Sequence, residues 1–400
     1  MRTWRLVRPT ALLLVVTMLF RSSQNMAQTT LSILGHDRLD MSPSLIGLVM
    51  AAASLCGVAA TAWFAPRVPA AARRIVVTAS MALVAASLGA FAAAPNVIVV
   101  ACAAAVLGVG GGVAMPTMMT MAGSGDEARR DRDLALYTLA LSASLAVGPL
   151  LEALVLGESG QSLPVAYLAF MAMPLVAIVL LVWRGVGGGR RLIGRSPKGT
   201  ASAGYRALLA NRQWRLAVTG TLLYQVPFVA IVAFGGAMAR SVDHASPAGT
   251  ELAFAAFFAT SFAARAWVVR YAPIERKVGA FFVAAALTVV GLVLLATGTG
   301  VVLFAVSLAV LGIPHGLIFP VALALVAEGA GTSEGLARGN AGLLAMVNLS
   351  SVGIPALLGG LVQLFGYRYM VLAVLLPVAA FSGLLAAGSS RSGPLRSQGV

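Results

Sequence analysis

The sequence predicts an all-α membrane protein with twelve transmembrane helices in two pseudo-symmetric six-helix bundles. Three observations carry this prediction: an apolar composition, twelve apolar runs of membrane length and a motif that returns in the second half. Hydrophobic residues make up 59% of the 400-residue chain and charged residues 10%, and the mean hydropathy is +0.92. Because soluble domains carry about a quarter charged residues, this composition excludes a soluble globular protein.

The apolar runs are long enough to be transmembrane helices, since a bilayer core of about 30 Å needs about 20 residues. Glycine and proline within them are tolerated, because neighbouring helices re-satisfy freed backbone groups. The first run follows three arginines, as in a signal peptide, but Arg21 interrupts it and we keep it as a helix. The predicted spans cover residues 10–34, 44–65, 74–94, 96–121, 134–157, 163–183, 214–238, 249–270, 278–297, 300–327, 337–364 and 367–388.

The predicted domain organisation follows from a repeat and a linker. The stretch VLGVGGGVAMP at Val106–Pro116 returns 204 residues later as VLGIPHGLIFP at Val310–Pro320, with five of eleven positions identical. A Gly-, Ser- and Arg-rich segment at 184–213 has no apolar span and is typical of a flexible linker. We therefore predict an N-terminal bundle over 1–183, a basic linker over 184–213, and a C-terminal bundle over 214–400 with a short tail.

The distribution of basic residues predicts the orientation in the membrane. With both termini in the cytoplasm, 23 of the 28 Lys and Arg residues fall in inner loops and tails. Only Arg38, Arg240 and Arg368 fall in outer loops, and Arg21 and Arg265 lie within spans. This bias is the positive-inside pattern of a cell (inner or plasma) membrane protein. The net charge of +15 is spread in short clusters between apolar runs, so lipid, and not nucleic acid, is the expected partner.

This arrangement resembles the major facilitator superfamily of secondary transporters. The family's loop between helices two and three reads Gly-x-x-x-Asp-Arg-x-Gly-Arg-Arg. Here Arg67 matches and Arg73-Arg74 follow late, while Pro66 and Pro69 stand where Asp and Gly belong. The resemblance implies the twelve-helix fold, transport by alternating access, and a gating role for Arg67.

Two further motifs of the family are present in altered form. In helix four, Ala104 occupies the place of an Arg that often precedes the first glycine. In helix five, Gly148-Pro149 matches the start of the exporter signature Gly-Pro-x-x-Gly-Gly, whose two glycines are replaced by Glu152 and Ala153. The resemblance therefore implies export of the substrate.

The first predicted span carries the main candidate for substrate binding. Arg21 lies about 18 Å along the helix at 1.5 Å per residue, and Asn25 and Gln28 share its face at spacings of four and three, with Gln24 beside them. Intramembrane ionisable groups normally face a cavity or a partner. We expect Arg21 to bind an anionic group through two hydrogen bonds; the alternatives are satisfaction by backbone carbonyls and a pair with Glu152.

Four residues of the second half extend this predicted site. Arg265 in helix eight is a second intramembrane arginine, although its long side chain can also snorkel to the cytoplasmic surface. His315 in helix ten is a candidate for both substrate binding and proton coupling, or a hydrogen-bonded core histidine. Gln225 and Asn348 are amides in mid-span, suited to the cavity or to contacts between helices.

Glu152 is the second candidate for proton coupling. It lies 19 residues beyond Asp133, near the outer end of helix five, and a partly buried carboxyl group there can exchange protons. Its alternative is an interfacial acid. A further set of residues is predicted to serve gating or helix packing: Arg67, Gly108, Gly112, Pro116, Gly148, Pro149, Gly312, Gly316 and Pro320.

The sequence thus predicts a proton-coupled efflux transporter of a small organic solute. It is expected to be a monomeric antiporter rather than an enzyme, with protons, the lipid bilayer and a small anionic solute as partners and no cofactor or metal. Cys56 and Cys102 lie in apolar runs and are predicted to be packing residues. Two alternatives stay open: uptake of an organic anion by the same fold, and a membrane receptor or scaffold that transports nothing.

Overall fold

The computed structural model describes residues 9–122, 130–157, 163–184, 208–271, 276–330 and 333–390. Twelve long α-helices make up nearly all of them, and the described residues contain no β-strand. The helices are α1 (Pro9–Leu39), α2 (Pro43–Ala59), α3 (Arg73–Ala93), α4 (Val97–Ala122), α5 (Arg130–Gly157), α6 (Leu163–Arg184), α7 (Arg212–Ser241), α8 (Pro247–Arg270), α9 (Lys277–Thr297), α10 (Val301–Gly329), α11 (Ser333–Phe365) and α12 (Tyr367–Ser390). Each predicted span corresponds to one helix, so the predicted fold class is confirmed.

Most of the predicted linker lies outside the described residues, because the description stops at 184 and resumes at 208. The same holds for residues 1–8 and 391–400, which contain most of the predicted cytoplasmic tails. The division into bundles at 184–213 therefore stays a prediction.

Two central helices are more polar than the others. Ten of the described helices are long and apolar enough to cross a membrane, and α1 and α8 are not among them. Helix α1 carries Arg21 and three amides, and α8 carries Glu251 and Arg265. Both helices pack against helices of the other half of the chain, α1 against α7 and α8 against α5. Their polar groups are therefore enclosed by protein, which makes polarity tolerable at membrane depth.

The repeated motif makes the same helix crossing in each half. A Cβ placed on Gly108 or Gly112 of α4 would lie 2.1 or 2.3 Å from a carbonyl oxygen of α2. A Cβ placed on Gly312 or Gly316 of α10 would lie 2.1 Å from a carbonyl oxygen of α8. The four glycines thus let backbones approach closely, as small residues do in membrane helix pairs.

Gly312→Ala is expected to lower the stability of the protein by about 2 kcal/mol or more, because the new methyl group overlaps the Phe257 carbonyl. Gly383→Ala is the matched control, since a Cβ there meets nothing within 4 Å. Alanine favours a helix over glycine by about 1 kcal/mol, so the control is expected to unfold at the same or a higher temperature. Thermal unfolding of both purified variants checks this. Equal melting temperatures would contradict a close backbone contact at Gly312.

The two halves of the chain are held together at one end, which we call the closed end. At this end α1, α7 and α11 end and α2 and α8 begin. Arg240 Nε donates to Asp37 Oδ2 at 2.7 Å across the two halves. A Cβ on Gly47 of α2 would lie 2.3 Å from the Pro355 carbonyl oxygen of α11. Backbone contact of this kind leaves no room between the halves there.

Loops of both halves are also tied to the closed end. Arg38 Nη1 donates to the Ala92 carbonyl at 3.1 Å, which brings the α3–α4 turn to α1. The Gly300 N–H donates to Asp243 Oδ1 at 3.0 Å, which brings the α9–α10 turn to the end of α7. Burial raises the pKa of Asp243, against the opposing effect of this hydrogen bond.

Candidate functional site

A cavity of about 1230 Å³ lies between the two halves of the chain. Its wall is formed by α1, α2, α4 and α5 of the first half and by α7, α8, α10 and α11 of the second. The cavity extends from Leu31 and Pro355 near the closed end to Leu136 and Arg270. We call the end of the molecule where α8 ends at Arg270 the open end.

The structure brings all eight sequence-predicted substrate-binding residues to the wall of this cavity. They come from five helices and are far apart in the chain. They are Arg21, Gln24, Asn25, Gln28, Gln225, Arg265, His315 and Asn348. Their predicted role in binding a substrate stays a prediction, but the geometry makes them one site.

Arg21 lies at the cavity wall beside an amide of its own helix. Its Nη1 donates to Gln24 Oε1 at 3.0 Å, one turn away. The alternative pairing with Glu152 is not observed, and within the described part of the chain Arg21 has no carboxylate in ion-pair distance. The remaining N–H groups of the guanidinium are available to a ligand in the cavity.

Arg265 reaches across the cavity and does not snorkel to a surface. Its Nη1 donates to Ser142 Oγ of α5 at 2.5 Å, so this bond joins the two halves. Its Nε has no hydrogen-bond partner in the described structure. A charged group with an unpaired N–H in a largely apolar surrounding is costly, and an anion in the cavity would satisfy it.

His315 is held in an aromatic cage on the second half. Its Nδ1 forms a hydrogen bond with Ser261 Oγ at 2.7 Å. Its ring stacks on Phe228 at a centroid distance of 4.5 Å, with Phe257 at 5.3 Å and Tyr224 at 5.9 Å. This arrangement fits the core-histidine alternative and also gives the cavity an aromatic wall beside the arginines.

Amide side chains complete the polar part of the wall. Asn25 is 2% exposed, and its Nδ2 has no partner among the described atoms. Gln225 Nε2 donates to Ser351 Oγ at 3.3 Å. An unsatisfied buried amide costs about 1–3 kcal/mol, so Asn25 offers a hydrogen bond to a ligand.

Sequence reasoning missed several residues of the cavity wall. Ser142 and Ser351 hold predicted residues in place through the bonds given above. Hydroxyls in apolar helices usually bond back to their own backbone, and aromatic side chains in an apolar run are equally suited to helix packing, so neither type carries a signal. The cavity residues that were missed include Ser54, Thr61, Ser142, Thr221, Tyr224, Phe228 and Ser351.

The charge of the cavity wall has one sign. The wall contains Arg21, Arg265 and Arg270 and, among the described residues, no Asp or Glu. No three described His, Cys, Asp or Glu side chains come together as a metal-ligand set. The cavity is therefore suited to a ligand that carries negative charge.

The residues predicted for gating or packing lie in three places. The repeat glycines lie at the crossings described above, with Pro116 and Pro320 inside the same helices. Gly148, beside Pro149, packs against α1, where a Cβ would lie 3.2 Å from the Ser22 carbonyl. Arg67 lies in a 3₁₀ turn after α2, which packs against α4, and its Nη1 donates to the carbonyl of Trp63.

Glu152 does not line the cavity. It is fully buried near the end of α5, and its carboxyl group lies within hydrogen-bonding reach of Glu251 on α8. Sequence reasoning did not select Glu251, which lies five residues after the N-cap Ser246. It is the third residue of the predicted span 249–270, where an acidic side chain can reach the membrane surface, so its position gave no sign of a partner.

Comparisons with known proteins agree with this geometry. The family model described as Major Facilitator Superfamily matches residues 11–335. No curated protein matches the sequence.

Solved transporter structures share the fold at low sequence identity. The structure of the nucleoside transporter NupG has a TM-score of 0.71 at 12% identity, over 96% of this chain and 100% of that one. A bacterial homologue of the human lysosomal transporter Spinster, in an inward-facing and occupied conformation, has a TM-score of 0.72 at 12% identity, over 96% and 98%. At this identity the likeness shows the fold alone.

Proposed function

Because the chain belongs to the major facilitator superfamily, we propose that it carries a small organic anion through the central cavity by alternating access. The family and the fold are those of multi-pass membrane transporters and not of enzymes. The observation that carries the anionic substrate is the cavity wall, which has two mid-membrane arginines, Arg21 and Arg265, and no carboxylate among the described residues.

The two arginines suit an anion on energetic grounds. A charged side chain at membrane depth costs about 2.5–3.5 kcal/mol on insertion scales, and neither guanidinium has a carboxylate partner in the described structure. A carboxylate, sulfonate or phosphate group would supply the negative charge and the hydrogen-bond acceptors that these guanidinium groups lack. The amide of Asn25 and the His315–Phe228 stack then provide hydrogen bonding and an aromatic face for the rest of the solute.

The conformation of the chain supports an inward-facing state. The cavity reaches the open end at Arg270, and the halves are in contact at the closed end through Asp37 and Arg240. The positive-inside pattern predicts that the open end faces the cytoplasm. Transport then requires that the closed-end contacts break while the open end closes.

For the direction of transport we propose export driven by protons. The support is the Gly148-Pro149 pair, which resembles the exporter signature. Flux into everted and right-side-out vesicles, loaded in parallel, tests it. Accumulation in right-side-out vesicles under an inward proton gradient would overturn export and support uptake of an anion.

Organic anions are expected to raise the melting temperature of the purified protein, and Arg265→Gln is expected to reduce that rise. A ligand at 100 times its dissociation constant stabilises by about 2.7 kcal/mol. The measurement is thermal unfolding with carboxylates, sulfonates and phosphates, each compared with a neutral and a cationic analogue.

The control for this experiment is Arg215→Gln. Arg215 is exposed and donates to the Leu209 carbonyl outside the cavity, so this variant should respond to anions as the unmodified protein does. Stabilisation by cations alone, or an unchanged anion response in Arg265→Gln, would contradict an anionic substrate.

A further inference from the structure

We propose that Glu152 and Glu251 bind one shared proton between the two halves of the chain, and that this proton keeps the closed end closed. The inference rests on the proposed transport function, because such a proton is released only when alternating access separates α5 from α8. The site is distinct from the substrate cavity, whose wall includes neither glutamate.

Glu152 and Glu251 are buried between α5 and α8. Both side chains are 0% exposed, and they lie on helices of opposite halves. Near them the backbones are close, since a Cβ on Gly157 of α5 would lie 3.8 Å from the Ala248 side chain of α8. The two carboxyl groups therefore meet inside the contact that joins the halves, without access to water.

The two glutamates lack a compensating positive charge among the described residues. Neither glutamate forms an ion pair with a described Arg, Lys or His, and three of the four carboxyl oxygens receive no hydrogen bond. Glu251 Oε2 has only the Thr29 hydroxyl, at 3.5 Å. Two adjacent carboxylates cannot both stay ionised in such a place. One proton removes the repulsion, because the O–H of one group then donates to the oxygen of the other.

Other ionisable groups on the described parts of the surrounding helices have partners of their own. From α6, the phenol of Tyr167 is near, but its oxygen is engaged with Thr30 Oγ1 at 2.9 Å. On α1, Arg38 donates to the Ala92 carbonyl and His36 Nδ1 lies 2.8 Å from Asp37 Oδ1. On α7, Arg240 is paired with the same Asp37. On α10, His315 bonds to Ser261 and Glu328 pairs with Lys277, and α4 carries no charged residue. Among the described groups named here, Glu152 and Glu251 are the two fully buried acidic side chains.

The consequence is a proton-dependent contact between the halves. When the closed end opens, each carboxyl group meets water, the proton leaves to it, and both groups become carboxylates. The closed end can form again only after one proton has returned. Each opening of the closed end then releases one proton from this pair and each closure takes one up, independently of the solute bound at Arg21 and Arg265.

The test measures the closed end directly, with spin labels on the full-length protein in lipid nanodiscs. Cys56 and Cys102 are replaced by alanine, and labels are attached to Pro95→Cys and Thr299→Cys, exposed positions in the closed-end turns of the two halves. We expect the short label distance in acidic buffer and an added longer distance in alkaline buffer. If the closed state binds the proton about ten times more tightly than the open state, the ratio of short to longer label distances should change by about tenfold between the two buffers.

Glutamine variants separate the shared proton from other causes. In Glu152→Gln or Glu251→Gln an amide N–H replaces the proton between the groups, so the short distance should persist in both buffers. The double variant should behave in the same way. Glu328→Gln is the control, because Glu328 is 47% exposed and lies at the open end; it should respond to pH as the unmodified protein does.

Two results would overturn the proposal: label distances that do not respond to pH in the unmodified protein, or a response in the double variant equal to that of the unmodified protein. Because no transported solute is used, failure here is distinct from failure of the anionic-substrate proposal. Gel filtration of each variant verifies that it is folded.

Discussion

Arg21→Gln is expected to insert and fold normally but to lose nearly all transport of an anionic substrate. Two hydrogen bonds to a charged partner contribute about 1.5–3 kcal/mol each, so affinity should fall by at least about 100-fold. The folded protein should not suffer, because glutamine removes a charge that has only Gln24 as a described side-chain partner. The measurement is solute flux in proteoliposomes, together with the melting temperature of the variant.

Arg21→Lys makes this experiment more specific. Lysine keeps the positive charge but lacks the planar pair of N–H donors. If Arg21 binds the anion through two parallel bonds, Arg21→Lys should recover only part of the flux. Flux at the unmodified level in Arg21→Gln would refute a binding role for this residue.

Gly359→Val is expected to abolish transport by preventing the closed end from forming. A Cβ on Gly359 would lie 2.5 Å from the Pro43 carbonyl oxygen of α2, where ordinary contact begins near 3.4 Å. Packed backbones do not yield to such an overlap, so α2 and α11 must move apart. The spin labels at positions 95 and 299 should then report the longer distance in both acidic and alkaline buffer.

Gly360→Val is the matched control for this experiment. The two glycines are neighbours on α11, and glycine-to-valine changes the helix propensity equally at both. A Cβ on Gly360 meets nothing within 4 Å, so this variant should keep the short distance and the transport rate. Equal behaviour of the two variants would show that the α2–α11 contact does not control the closed end.

Helix positions were predictable from the sequence because hydropathy is a local property. A run of apolar residues crosses the membrane whatever it packs against. Helices α1 and α8 are more polar than the others, but their apolar residues still formed runs of membrane length. The helix ends differ by a few residues from the predicted spans: α1 ends at Leu39 rather than 34, and α11 begins at Ser333 rather than 337. Hydropathy fades where helices extend beyond the bilayer core.

The cavity residues were predictable for a related reason. Polar groups at membrane depth are costly unless they face water, a ligand or a partner, so Arg21, Arg265, Gln225 and Asn348 could be selected one at a time. What they face was not predictable. The sequence left Glu152 as a partner for Arg21, whereas the structure places it beside Glu251, because which faces of α5 and α8 meet depends on the packing of the whole bundle.

By itself, the sequence determined the class of protein, the twelve helices and the residues that bear an energetic cost in a membrane. These follow from composition and spacing, which need no knowledge of distant contacts. Only the tertiary structure decided that eight of those residues share one cavity without a described carboxylate, and that two glutamates from opposite halves meet in the closed-end contact. The physical reason is that charge pairing is a property of distances between helices, and those distances are set when the two halves pack together.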